Sequence, residues 1–233
     1  MEEERIYSYE YPRPAVTTDC VIFGFDGEEL KVLLIERAIE PYKDQWALPG
    51  GFIALDESAD ACARRILQKE TGLEDIYLEQ LYTFSGVNRD PRYRVISIAY
   101  YALVKLADYA TKAGIDTTEV KWFKISEVPR LAFDHHQILQ VAQERLKGKI
   151  KYQPIGFELL PEKFTLPELH SLYETVLQTS LDRRNFRKKM LSYDFLVDLS
   201  EVKQVTRSRA PKIYRFDKQK YEELTQKGFY FEF

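Results

Sequence analysis

Cysteine is nearly absent from this 233-residue chain: Cys20 and Cys62 stand alone, with no CxxC spacing. Two isolated thiols exclude a disulfide framework and a cysteine-based zinc site, and they fit buried thiols in a reducing cytoplasm. Long apolar runs are missing as well. Nothing approaches the roughly 20 consecutive apolar residues that cross a bilayer, so no membrane partner is expected. The opening MEEERIYSYEYPRP is acidic and polar, unlike a secretory signal. Repeats and low-complexity tracts are absent. The rest has the composition of an ordinary globular protein, rich in Tyr and Phe, and is long enough for two modest domains that each bury a core.

The net charge of −3 hides an asymmetry. Residues 151–233 carry 15 Lys and Arg against 12 Asp and Glu, whereas residues 1–150 carry 19 against 25. The basic excess is densest between Arg183 and Arg215, which points to a polyanion partner for the C-terminal part.

Apolar, β-branched runs at Thr17–Phe25 and Leu30–Glu36, separated by Asp26-Gly27-Glu28-Glu29, predict a hairpin. Helical periodicity covers Ser58–Thr71, with Gly72 where a C-cap glycine belongs. Further strands are predicted at Ile76–Phe84, Arg94–Lys105 and Val120–Phe123, and an amphipathic helix at His135–Leu146. This mixture predicts an α/β sandwich. Lys147–Pro154 (KGKIKYQP) is polar and ends in proline, as a linker would. Beyond it, Thr165-Leu-Pro-Glu168 predicts a capping box that opens a helix through Leu177, and Asp182 predicts the N-cap of a second helix through about Ser192. Strands are predicted at Phe195–Leu199 and Ile213–Phe216. The closing GFYFEF would pack its aromatics back on a domain or on a partner chain.

Between Gly51 and Leu73 the chain reads GFIALDESADACARRILQKETGL. This resembles the Nudix box, G-x5-E-x7-R-E-U-x-E-E-x-G-U with U aliphatic, at Gly51, Glu57, Arg65, Leu67, Glu70, Gly72 and Leu73. It departs at Ile66 and Lys69, where the pattern has glutamates. Positions 66, 69 and 70 converge on one helix face, and three carboxylates there could ligate magnesium and polarise a water. Ile66 can do neither, and Lys69 puts a cation beside any metal. Ile66 also continues the stripe Ala59, Cys62, Ala63, Leu67, so it reads equally as a core residue. Glu57, Arg65 and Glu70 are the residual catalytic candidates, with Glu57 and Glu70 the only metal candidates. No cofactor is required, and magnesium enters only with residual hydrolase activity.

The resemblance extends beyond the box. QWALPGGF (Gln45–Phe52), NRDPRYRVISIAYYALV (Asn88–Val104), FDHHQI (Phe133–Ile138) and the following PIGFELLPEKFTLPELHSLYE look like the Nudix-related transcriptional regulators. That resemblance implies a Nudix α/β/α sandwich over residues 1–150 and a winged helix-turn-helix over residues 151–233. It further implies a small-molecule effector that modulates operator binding: ADP-ribose or a related NAD metabolite in some members, a pentose in others. The competing reading is a magnesium-dependent hydrolase of ADP-ribose or a similar nucleoside diphosphate derivative.

Candidate ligand-binding residues are Arg37, Trp46, Gly50, Gly51, Glu57, Glu70, Arg89, Arg92, Arg94 and Asp134. Arginines beside the Asp90-Pro91 turn could grip a phosphate or stay solvated, Trp46 could stack on a base or sit in the core, and Asp134 could bind ligand or cap the next helix. His135 and His136 lack a third partner for zinc. In the C-terminal half, Phe186, Met190 and Tyr193 form an apolar back. Arg184, Arg187 and Lys188 share a basic front suited to the major groove, with Arg183 and Lys189 at its edges and Asn185 near the helix start, where side chains reach bases. Arg207 and Arg209 fall at the tip of a wing. A solvated basic helix face is the plain alternative. Helix-turn-helix symmetry leads to the expectation of a homodimer on double-stranded operator DNA.

Overall fold

The computed structural model describes residues 10–72, 76–106, 117–203 and 210–233. At its centre is strand β1 (Ala15–Phe25), which is buried on both faces from Thr17 onward and apolar from Cys20 to Phe25. The turn after it is set by Gly27 at φ 101° and by the Asp26 carboxylate, which accepts from the backbone N–H of Glu28 (3.0 Å) and Glu29 (2.9 Å). Strand β2 (Leu30–Arg37) returns antiparallel, forming the expected hairpin.

Short strands β3 (Trp46–Ala47) and β4 (Gly50–Phe52) follow, then helix α1 (Ala59–Thr71), β5 (Tyr77–Phe84), β6 (Val95–Lys105), β7 (Thr117–Lys124) and helix α2 (His135–Lys149). The sheet runs β3-β2-β1-β6-β5, with β4 on β1 and β7 on β2. Strand β6 lies parallel to β1 along its whole length. Cys20 and Ile22 face α1 with Cys62, Ala63, Ile66 and Leu67. Val21, Phe23 and Phe25 face the other layer with Ile138, Leu139, Ala142 and Leu146 of α2. The α/β/α sandwich follows from this alternation.

The caps of α1 match the sequence. Ser58 accepts from the Ala61 N–H (3.1 Å), and Gly72 takes a left-handed φ of 71° while its N–H reaches the Gln68 carbonyl. Helix α2 overruns its expected end at Leu146 by three residues. The polar linker expected at Lys147–Pro154 is therefore a correction. Ile150 is wholly buried, and Lys149 lays its stem inside while its ammonium pairs with Glu79, which also accepts from the Tyr77 hydroxyl. One apolar core continues through Ile150, Ile155 and Phe157 into the C-terminal half.

That half holds β8 (Phe164–Thr165), α3 (Leu166–Leu177), α4 (Arg183–Leu191), β9 (Leu196–Val202), β10 (Lys212–Phe216) and α5 (Lys218–Gln226), with the sheet ordered β8-β10-β9. The Thr165/Glu168 capping box is present, and Asp182 caps α4 through the Asn185 N–H (2.8 Å). Strand β8 and helix α5 were not expected. Arg207 and Arg209 lie outside the described residues. Among those described, no helix is long and apolar enough to cross a membrane.

Candidate effector cleft and nucleic-acid interface

A cleft of about 330 Å³ opens over the sheet at the β4–α1 end. Its floor is Asp19, the single carboxylate of β1. Asp19 accepts from the Ser97 hydroxyl (2.5 Å) and from Arg89 Nη2 (3.2 Å). Gly50 pairs with it across β1–β4, and a Cβ at Gly50 would collide with the Asp19 carboxylate. Arg89 is the hub. Its Nε and Nη2 donate to the two oxygens of Asp134 at 2.9 and 2.7 Å. Burial opposes its charge, but Asp134 and Asp19 outweigh that and raise its pKa. The carboxylate of Asp134 therefore serves Arg89 rather than the first turn of α2, where it makes no capping bond.

His135 was missed as a cleft residue. Its Nδ1 accepts from the Leu48 N–H (2.9 Å), leaving Nε2 to carry the proton 3.6 Å from Asp19. Burial pushes its pKa down, which keeps the ring neutral. An isolated aspartate inside a β-branched run was the sequence signal that could have flagged Asp19.

Two more guanidiniums border the opening. Arg92 donates twice to Asp90 (3.0 and 2.7 Å) and lies over the rings of Phe52, Tyr93 and Phe133. Arg37 sits 4.9 Å over the same Phe133 ring and donates, among the described residues, to the carbonyls of Pro41 and Ile39. Burial and then repulsion from Arg92 lower the pKa of Arg37. Two guanidiniums share one aromatic wall, a chemistry that suits an anion.

The remaining candidates divide. Gly50, Gly51, Arg65, Ile66, Lys69 and Glu70 line the cleft. Glu57 is gripped by Arg65 through two bonds of 2.7 and 2.8 Å. Trp46 stands outside the cleft with its ring edge-on to Phe123 (4.7 Å). Arg94 is also outside, donating to the Gly86 carbonyl (2.9 Å).

Magnesium does not fit this donor set. Ile66 is buried in the α1 core, Glu70 is paired with Lys69 at 3.5 Å, and Glu57 is tied to Arg65. Among the described residues no group of three or more His, Cys, Asp or Glu is placed to hold a metal.

In the C-terminal half, Phe186 and Met190 of α4 are buried while Arg183, Arg184, Asn185, Arg187, Lys188 and Lys189 are exposed. The lysines near the wing are neutralised: Lys203 by Glu168, Lys212 by Asp198, Lys163 by Glu201. The exposed cations of α4 share one surface, and the Lys189 ammonium also lies 5.7 Å over the Phe233 ring.

A sandwich with a Nudix-type helix, joined to a winged helix with a basic second helix, defines a sensor coupled to a DNA-binding domain. The NUDIX domain model matches residues 13–142, and the NrtR DNA-binding winged helix domain model matches residues 156–216. The chain belongs to the NrtR-like family of Nudix-related transcriptional regulators. It is 36% identical over 217 residues to the ADPR responsive transcriptional repressor NtrR of Acinetobacter baylyi, covering 91% of this chain and 86% of that protein. The crystal structure of Shewanella oneidensis NrtR complexed with a 27mer DNA aligns with a TM-score of 0.77 at 34% identity, covering 86% of this chain and 93% of that one. The NUDIX domain of the same Shewanella protein, complexed with ADP ribose, aligns with a TM-score of 0.54 at 35% identity over 58% of this chain and 90% of that one. The protein is a DNA-binding transcriptional regulator with a degenerate Nudix sensor.

Proposed function

We propose that the cleft binds ADP-ribose without cutting it, and that occupancy changes the affinity of a homodimer for operator DNA. The observation that carries this is the Arg37–Phe133–Arg92 arrangement beside a helix that lacks two of its acids. A diphosphate would lie against the two guanidiniums, and the exposed rings of Phe52 and Tyr93 offer faces to a base. The ADP-ribose named for the Acinetobacter and Shewanella relatives supports the choice over a pentose. A neutral sugar leaves both cations unused. No cofactor is needed for recognition, and magnesium is dispensable.

Regulation requires ADP-ribose to favour one geometry of the dimer over another, since equal affinity for both shifts nothing. Helix-turn-helix proteins commonly bind paired half-sites as two-fold dimers, and that general geometry is the reason for proposing a homodimer here.

The test is calorimetric titration of the full chain with ADP-ribose, with and without magnesium, followed by chromatography for products and a gel-shift titration. We expect binding in both buffers, no cleavage and a changed DNA affinity. Turnover of about 1 per second or faster with magnesium would make it a hydrolase instead.

A further inference from the structure

The winged-helix model ends at residue 216, yet the chain continues through α5 and then turns back. The returning segment Phe229–Phe233 inserts three aromatic rings. Phe229 and Phe231 meet Tyr193 at 5.8 and 5.3 Å, and Phe231 is almost wholly buried. The Tyr193 hydroxyl donates to the Glu232 carbonyl. Phe233 reaches furthest, with its ring 4.6 Å from Tyr173 of α3 and 5.5 Å from Phe186 of α4. The Lys189 ammonium of α4 rests 5.7 Å over the same ring. The Phe233 backbone N–H donates to the Lys151 carbonyl at 2.7 Å, just past the end of α2.

One residue thus touches both helices of the helix-turn-helix and the end of the sensor helix. At its other end α2 begins at His135, preceded by Asp134 in the grip of Arg89. A 15-residue helix spans about 22 Å as a rigid rod. We propose that Phe229–Phe233 is a strap that sets α4 against the end of α2, with Phe233 the positioning residue for specific DNA contact.

The chemistry favours position over simple core filling. Phe233 is half-buried, and its backbone N–H is bonded to Lys151, two residues past α2 and ahead of the matched winged helix. Losing its ring removes the edge contacts to Tyr173 and Phe186, while the cations on the front of α4 stay. Base contacts depend on how α4 is set; attraction to phosphates depends on charge alone.

The inference rests on α4 as the DNA-contacting helix, and the experiment separates the two. The probes are a duplex selected from random sequence by the wild-type chain and a shuffled duplex of equal length. Full-length Phe233→Ala, Phe233→Tyr and Arg187→Ala are titrated on both, without any effector. We expect Phe233→Ala to lose about tenfold or more on the selected duplex, a loss of about 1.4 kcal/mol, and to stay within about twofold on the shuffled one. Phe233→Tyr should restore the selected affinity. Equal losses on both duplexes, or none on either, while Arg187→Ala weakens binding, would overturn the strap. If Arg187→Ala also changes nothing, the assignment of α4 has failed instead. Should Phe233→Ala not fold, Phe233→Leu is read by the same ratio, with a preserved ratio counting against the strap.

Discussion

Arg89 and Asp134 are 45 residues apart in the chain and joined by two hydrogen bonds of 2.9 and 2.7 Å, fastening the loop before β6 to the start of α2. The Arg89 side chain is 5% exposed, with Asp19 at 8% and Asp134 at 20%. Removing the guanidinium leaves two carboxylates facing each other with little water. We expect Arg89→Ala to cost about 3–5 kcal/mol in urea unfolding and to abolish effector binding. A loss below about 1 kcal/mol would mean that the carboxylates rearrange away from each other.

Parts of this site could be read directly and parts could not, and the division is physical. The box helix, its Ser58 and Gly72 caps, the Thr165 capping box and the two-faced α4 depend on neighbours within four residues, so periodicity exposes them. Asp19, Arg89 and Asp134 meet only because β1, the loop before β6 and α2 pack together, and no spacing records that. Lys149 misled for the same reason, since its partner Glu79 lies 70 residues back and a buried lysine looks like a linker lysine. Trp46 and Arg94 carry suitable chemistry, but packing on Phe123 and the bond to Gly86 hold them away from the cleft.

Arg37 and Arg94 make a matched pair for testing the anion site. Arg37 borders the cleft and donates to two backbone carbonyls, whereas Arg94 is bonded outside it. A charge-assisted bond to a phosphate contributes about 1.5–3 kcal/mol, so Arg37→Ala should weaken ADP-ribose binding roughly tenfold or more by calorimetry. Arg94→Ala should leave it within about twofold. Equal effects would move the diphosphate elsewhere.

Restoring the missing acids tests how far the cleft has departed from metal chemistry. Ile66→Glu puts a carboxyl where a buried methyl group now packs, and Lys69→Glu removes the cation beside Glu70. Without metal the double variant should lose about 2–4 kcal/mol through an unpaired buried group and adjacent acids. Added magnesium should recover part of that loss, read as a rise in Tm absent from the wild-type chain. No magnesium response would mean that the surrounding backbone also no longer suits a metal.

Glu57 supplies a pH signature. Arg65 hydrogen bonds hold its carboxyl at about 2, below its ordinary 4.5. Because the folded value is depressed, the pair's stabilisation is fully present above about pH 4.5 and fades as pH falls toward 2. Glu57→Gln should therefore flatten the acid side of the Tm profile between those values. The difference between the two proteins should narrow in high salt.

Tyr173 separates the work of a ring from that of its hydroxyl. The ring is wholly buried between Phe186 and Phe233, while the hydroxyl is buried without a hydrogen-bond partner among the described residues. Burial raises its pKa, so the group is a neutral phenol deprived of water. Such a donor costs about 1–3 kcal/mol, and Tyr173→Phe removes it while keeping the aromatic contacts. The variant should melt about 2–4 °C higher or more, with selected-duplex affinity unchanged. Tyr173→Leu should instead reproduce the Phe233→Ala loss of specificity, because Phe233 would have no ring to meet on α3. A lower Tm for Tyr173→Phe would mean that an ordered water reaches the hydroxyl and that the junction of α3, α4 and the strap is wetter than its packing implies.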